Sequence, residues 1–176
     1  MKHAILTLVI LMMIASSQGS YAQASNDIAL NIPALLAAIP SESAKSAREV
    51  RETEVNVRAM RNFTRSYKNI PGVKWFTSQS GHFASFVSNG THTKVIYDMK
   101  GNRAYAITSY TEAKLDRNVR TLVKSTYFDS SIIGVHEFEF DNKIIYVIKL
   151  QDSRSNFATL KVSEGQIEDI TSHDKK

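Results

Sequence analysis

The side chains best suited to chemistry in this sequence are four histidines, His82, His92, His136 and His173, and the carboxylates Glu137, Glu139 and Asp141. Paired imidazoles bind zinc when they sit at H-x-H, H-x-x-x-H or H-E-x-x-H spacing, which brings both ring nitrogens to one ion. None of these spacings occurs here. Glu137, Glu139 and Asp141 alternate, so on a strand their carboxylates share one side, an arrangement able to serve acid–base work or hold calcium. Phe138 and Phe140 take the other parity, as a half-buried strand with one wet face requires. The catalytic alternative is an envelope-associated hydrolase or metal-dependent enzyme whose site assembles from non-local residues, with His136, Glu137 and Glu139 as candidates.

Other motifs are weaker. Asp98-Met99-Lys100-Gly101-Asn102 lacks the repeated acidic ligands and terminal Glu of a calcium loop, and reads as a hairpin turn. There is no G-x-S-x-G elbow, no Walker loop and no G-x-G-x-x-G. The chain has no cysteine, so thiolate metal sites and cysteine nucleophiles are excluded. The expectation is a chain that is not an enzyme, with no catalytic residue, no cofactor and no metal ligand.

Aromatic side chains offer a different chemistry. Trp75, Phe76, Phe83, Phe86, Tyr97, Tyr105, Tyr110 and Tyr146 all fall in β-rich runs, and strand alternation cannot send them all into one core. Aromatics that face outward make binding hot spots. Trp75, Phe86, Tyr97, Tyr105 and Tyr146 form the candidate binding surface.

The elements that would position them can be read along the chain. Lys2 and His3 precede an apolar run from Ala4 to Ala15, and Ala22-Gln23-Ala24 has a small-x-small pattern. This is the layout of a cleavable secretory signal over residues 1–24, since a membrane span needs about 20 apolar residues. Residues 25–45, broken by Pro33 and Pro40, form a leader segment. No long apolar stretch follows, so no membrane span is expected after cleavage. A cysteine-free exported chain fits a bacterial periplasm or the secreted fraction. The formal net charge is +5, but Glu49, Glu52 and Glu54 interleave with Arg48, Arg51 and Arg58. That is a solvated mixed-charge face and argues against nucleic acid as a partner.

The domain spans 46–176. Ser46 and Glu49 have capping-box spacing, and Val50, Val57, Met60, Phe63 and Tyr67 recur at helical spacing, predicting a helix that ends near Lys68. Strands are predicted at 73–76, 82–87, 93–98 and 104–110, separated by turn formers such as Asn89-Gly90. The order then recurs: a helix carrying Val119, Leu122, Val123 and Tyr127, then strands at 134–140, 144–150, 157–162 and 166–171. Phe63-x-x-x-Tyr67 aligns with Val123-x-x-x-Tyr127, Val73-x-x-Phe76 with Val135-x-x-Phe138, and the Gly101 turn with the Gly165 turn. This is a duplication with a period near 64, repeat one about 46–110 and repeat two about 111–176.

From Val57 to Thr171 the pattern resembles the PepSY-like, β-lactamase-inhibitor-like family of small exported bacterial proteins. The resemblance rests on the F-x-x-x-Y helix end, on residues 69–75 (NIPGVKW), 81–86 (GHFASF) and 95–102 (VIYDMKGN), and on 119–127 and 146–150 in the second half. It implies an α+β fold: a tandem α-β-β-β-β repeat, with helices packed on one face of an antiparallel sheet and the other face open. The inhibitor in that group binds a secreted hydrolase with its concave sheet but uses disulfides, which this chain lacks. The expected role is a non-catalytic binding or inhibitor-like module with an exported or envelope protein as partner.

Overall fold

The structure, a computed structural model, describes residues 47–171. Nine strands form one sheet in strict chain order, every neighbouring pair antiparallel. They are β1 (Arg48–Val50), β2 (Lys74–Ser78), β3 (Gly81–Ser88), β4 (Thr91–Asp98), β5 (Arg103–Tyr110), β6 (Ser131–Phe140), β7 (Lys143–Gln151), β8 (Phe157–Ser163) and β9 (Gln166–Asp169). Helix α1 (Val57–Ser66) joins β1 to β2, and α2 (Arg117–Thr126) joins β5 to β6. The α+β class and the tandem α-β-β-β-β plan are as expected from the sequence.

Local chemistry sets the helices. The Asn56 side chain accepts from the Arg58 amide at 2.9 Å and so caps α1. Asp116 caps α2 by accepting from the amides of Asn118 and Val119. Ala59 and Phe63 are the buried positions of α1, and Val123 that of α2. Tight turns set the hairpins. Asn89-Gly90, Asp141-Asn142 and Glu164-Gly165 all have positive φ at both positions, the twist that two-residue hairpins favour.

Two expectations need correction. The first helix does not start near Ser46. That residue lies outside the described ones, and Glu49 and Val50 belong to β1, where they pair with Phe76 and Trp75. Val50 matched the helical period by coincidence, and Val57 is mostly solvent-exposed. The repeat alignment was also displaced along the strands. The helices start at Val57 and Arg117, a period of 60. Val50 faces Trp75 across β1–β2 as Tyr110 faces Val135 across β5–β6, so Trp75, not Val73, is the counterpart of Val135. A two-residue shift leaves strand parity unchanged, so alternation cannot detect it.

Both helices lie on one face. Val55, Ala59 and Phe63 pack on Trp75, Ala84, Phe86, Val95, Tyr97 and Ala106, while Leu115 and Val123 pack on Val135, Ile148, Leu150, Leu160 and Val162. Phe63 meets Trp75 and Phe86 edge to face, with ring centres 5.3 and 5.7 Å apart. Between these cores runs a polar seam. Arg103 reaches Glu139 at 2.9 and 3.2 Å, and the Tyr110 hydroxyl donates to Glu137 at 2.5 Å. Burial, and then the Glu137 carboxylate, push the Tyr110 phenol far above its ordinary pKa, so it stays a donor. Burial works against the charge of Arg103, but Glu139 and Tyr67 together outweigh it and hold the guanidinium pKa above its usual value.

Candidate binding face

Alternation decides what the opposite face displays. Residues directly across a ladder share a face, so Phe76, Phe83, Ile96 and Tyr105 line up in one row across β2 to β5. Beside it runs a second row, Ser85, Lys94, Ile107, Phe138 and Ile145, across β3 to β7. A third holds His92, Ser109, His136, Val147 and Lys161. No described helix covers these rows.

The second row and its neighbours form the floor. Ile107, Phe138, Phe140, Ile145 and Val147 make a third apolar cluster, packed against Ile96, Tyr105 and Ile170. The first row stays half-buried, so it is the accessible apolar surface. Phe76 and Phe83 stack with centres 4.8 Å apart and planes 12° from parallel. Lys94 lies with its Nζ 4.7 Å from the centre of the Phe83 ring.

Apart from Val147, the third row is polar. Ser85 Oγ is 2.9 Å from His92 Nε2, and Ser109 Oγ is 2.8 Å from His136 Nδ1. Burial, and next the nearby Lys149 charge, hold the His136 pKa below its ordinary value. A serine–histidine nucleophile needs a third group to orient the base. Among the described residues no carboxylate bonds to either histidine, and no cluster of three His, Asp or Glu side chains could hold a metal ion. His136 faces away from Glu137 and Glu139, which lie in the seam beside Tyr110 and Arg103 on the helix face. Strand alternation therefore separates His136 from the two carboxylates that the catalytic alternative would combine with it.

The five aromatics of the candidate surface divide. Trp75 (2 % exposed), Phe86 (5 %) and Tyr97 (0 %) are core residues beneath α1. Tyr146 is half-buried on the helix face, packed against the second core beneath α2. Tyr105 lies on the helix-free face against Ile96. Alternation fixes the last of these: Tyr105 pairs with Ile96, and Tyr97, the next residue of β4, takes the other face. The bulge after Ile96 sets Arg103 opposite Tyr97 and so brings the guanidinium to the helix face. Phe76 and Phe83, two of the eight strand aromatics but not of the candidate surface, carry the face together with Lys94. The Asn89-Gly90 turn could have found them: a two-residue hairpin pairs Ser88 with Thr91, and counting back sets Ser85 opposite Lys94 and Phe83 opposite Ile96.

No family model and no curated protein matches the chain. Solved structures do match in fold. A BLIP-like protein from Bacteroides fragilis NCTC 9343 is 20% identical, with a TM-score of 0.55 over 69% of this chain and 91% of that one. A DUF2874 family protein from Bacteroides ovatus ATCC 8483 is also 20% identical, with a TM-score of 0.55 over 68% of this chain and 92% of that one. A protein from Bacteroides eggerthii DSM 20697, provisionally assigned to the periplasm, is 17% identical with a TM-score of 0.53 over 66% and 90%. The chain thus has the fold of the BLIP-like group that its sequence resembles.

Proposed function

We propose that this chain is an exported, non-catalytic binding module of the bacterial envelope, and that it docks a partner protein on the helix-free face of its sheet. The observation that carries this reading is the accessible row Phe76, Phe83, Ile96 and Tyr105 on a nine-stranded scaffold. Rigid aromatics bind with little loss of side-chain entropy. Ile96 and Tyr105 pack at their inner edges on the third cluster, and the half-buried outer surface of the row is available to a partner. The BLIP-like fold and the periplasmic assignment of one structural neighbour support the same reading and favour the periplasm or secreted fraction as its location. No described helix is long and apolar enough to cross a membrane. The signal and leader readings concern residues 1–45, outside the described ones.

The test is affinity capture with paired variants. The chain from Ser25 onward is immobilised, exposed to envelope and secreted fractions of its host, and the retained proteins are identified by mass spectrometry. Phe76→Ala with Phe83→Ala should abolish retention of a partner that free protein competes off. Phe128→Ala, at a site 83 % exposed outside this face, should leave retention unchanged. Retention that survives the Phe76/Phe83 change in a folded protein would remove the helix-free face as the docking surface.

A further inference from the structure

Lys94 is out of place for a lysine. It sits mid-strand on the helix-free face, 6 % exposed, its ammonium over the Phe83 ring. Among the described residues no carboxylate pairs with it. Other lysines of this face differ: Lys74 meets Glu49 at 3.6 Å and Lys161 meets Glu168 at 2.9 Å. Burial alone lowers the Lys94 pKa, as expected for a cation with no compensating anion. A buried ammonium without a partner is costly, and a carboxylate placed against it would recover much of that cost.

There is room for one. A cavity of about 340 Å³ opens beside Lys94, walled by Phe83, Ile96 and Tyr105 and rimmed by Gln79 and Ser80 of the β2–β3 turn. That volume exceeds one acidic side chain and also accommodates an apolar neighbour. The charges of the face agree. Its carboxylates Glu49 and Glu168 are already paired with lysines, whereas Lys94 and Lys149 have no carboxylate partner among the described residues.

We propose that this cavity is the anion subsite of the binding face, taking an Asp or Glu side chain of the partner protein, its carboxylate on Lys94 Nζ and an adjacent apolar residue against Phe83 and Tyr105. This rests on the docking reading above and gives the partner its chemistry: an acidic side chain next to an apolar one, presented on a protruding segment.

Two peptides of the same shape test it, Ac-Phe-Glu-NH2 and Ac-Phe-Gln-NH2, titrated by NMR into the ¹⁵N-labelled chain from Ser25 onward. The Glu peptide should shift the amides of Phe83, Lys94, Ile96 and Tyr105 saturably. The Gln peptide should bind about tenfold more weakly, the difference a charge-assisted contact makes. Lys94→Met should remove the discrimination and Lys94→Arg should restore it. Equal affinities, no shift at these residues at concentrations on the order of 10 mM, or discrimination that survives Lys94→Met would each overturn the subsite. If Lys94→Met does not fold, the comparison of the two peptides on the native chain still decides. Failure of both peptides, with capture still lost on changing Phe76 and Phe83, overturns the subsite and leaves the binding face standing.

Discussion

His136 shows how one strand residue takes its properties from its surroundings. Burial and the Lys149 charge lower its pKa, and it bonds to Ser109 while neutral. The unfolded chain, with the ordinary value of 6.5, therefore takes up the proton before the folded one does. The stability linked to this residue is complete above the unfolded pKa and is lost as pH falls from there toward the folded value. Denaturant midpoints measured from pH 7.5 down to 5 should fall less steeply for His136→Gln than for the native chain. Identical slopes would show that His136 is not what makes the fold acid-sensitive in this range.

At the scale of elements, the β4–β5 loop shows why a turn sequence carries more than a turn. Asp98 binds both the amide and the side chain of Asn102 at 2.8 Å, and these contacts hold its carboxyl pKa below the usual range. The loop is also tied to α1, since the Asn56 side chain donates to the Met99 carbonyl at 3.2 Å. Gly101 makes that approach possible. Its φ is +80°, and a Cβ there would lie 2.5 Å from Asn56 Oδ1 and 2.7 Å from the Ala59 nitrogen. Gly101→Ala should cost about 2 to 3 kcal/mol, from the strained φ plus displacement of the α1 cap. Gly134→Ala, where a Cβ meets nothing within 4 Å, should change stability by less than about 1 kcal/mol. Urea titrations of both variants check the contrast, and comparable losses would refute the packing argument.

For the whole molecule, the two repeats are joined by more than the chain. Each has its own core beneath its helix, but the cluster on the helix-free face draws on both. Ile96, Tyr105 and Ile107 come from the first repeat, and Phe138, Phe140, Ile145 and Val147 from the second. Ile107 lies directly across from Phe138 in the β5–β6 ladder. Separating the halves would expose these side chains, at about 1.5 to 3 kcal/mol for each one that was fully buried. Unfolding should therefore be one cooperative transition. Trp75, the only tryptophan, reports on the first repeat alone, whereas far-ultraviolet circular dichroism reports on both. Their denaturation curves should coincide, and a Trp75 transition separated from the circular dichroism transition would show independent halves.

By itself the sequence determined the α+β class, eight of the nine strands, the second helix with Asp116 at its start, and the existence of a duplication, because these follow from short-range periodicity and turn chemistry. It also carried the family resemblance. It did not determine β1, whose three residues are strand only because β2 lies beside them. Nor did it determine which strand parity faces the helices. Trp75, Phe86 and Tyr97 are open to a surface or a core reading until α1 is placed over them, and nothing in the sequence sets Lys94 apart from the other strand lysines, since its burial comes from Phe83 and Ile107 on neighbouring strands. Alternation divides a strand into two faces, and only packing of distant elements decides which of them is buried.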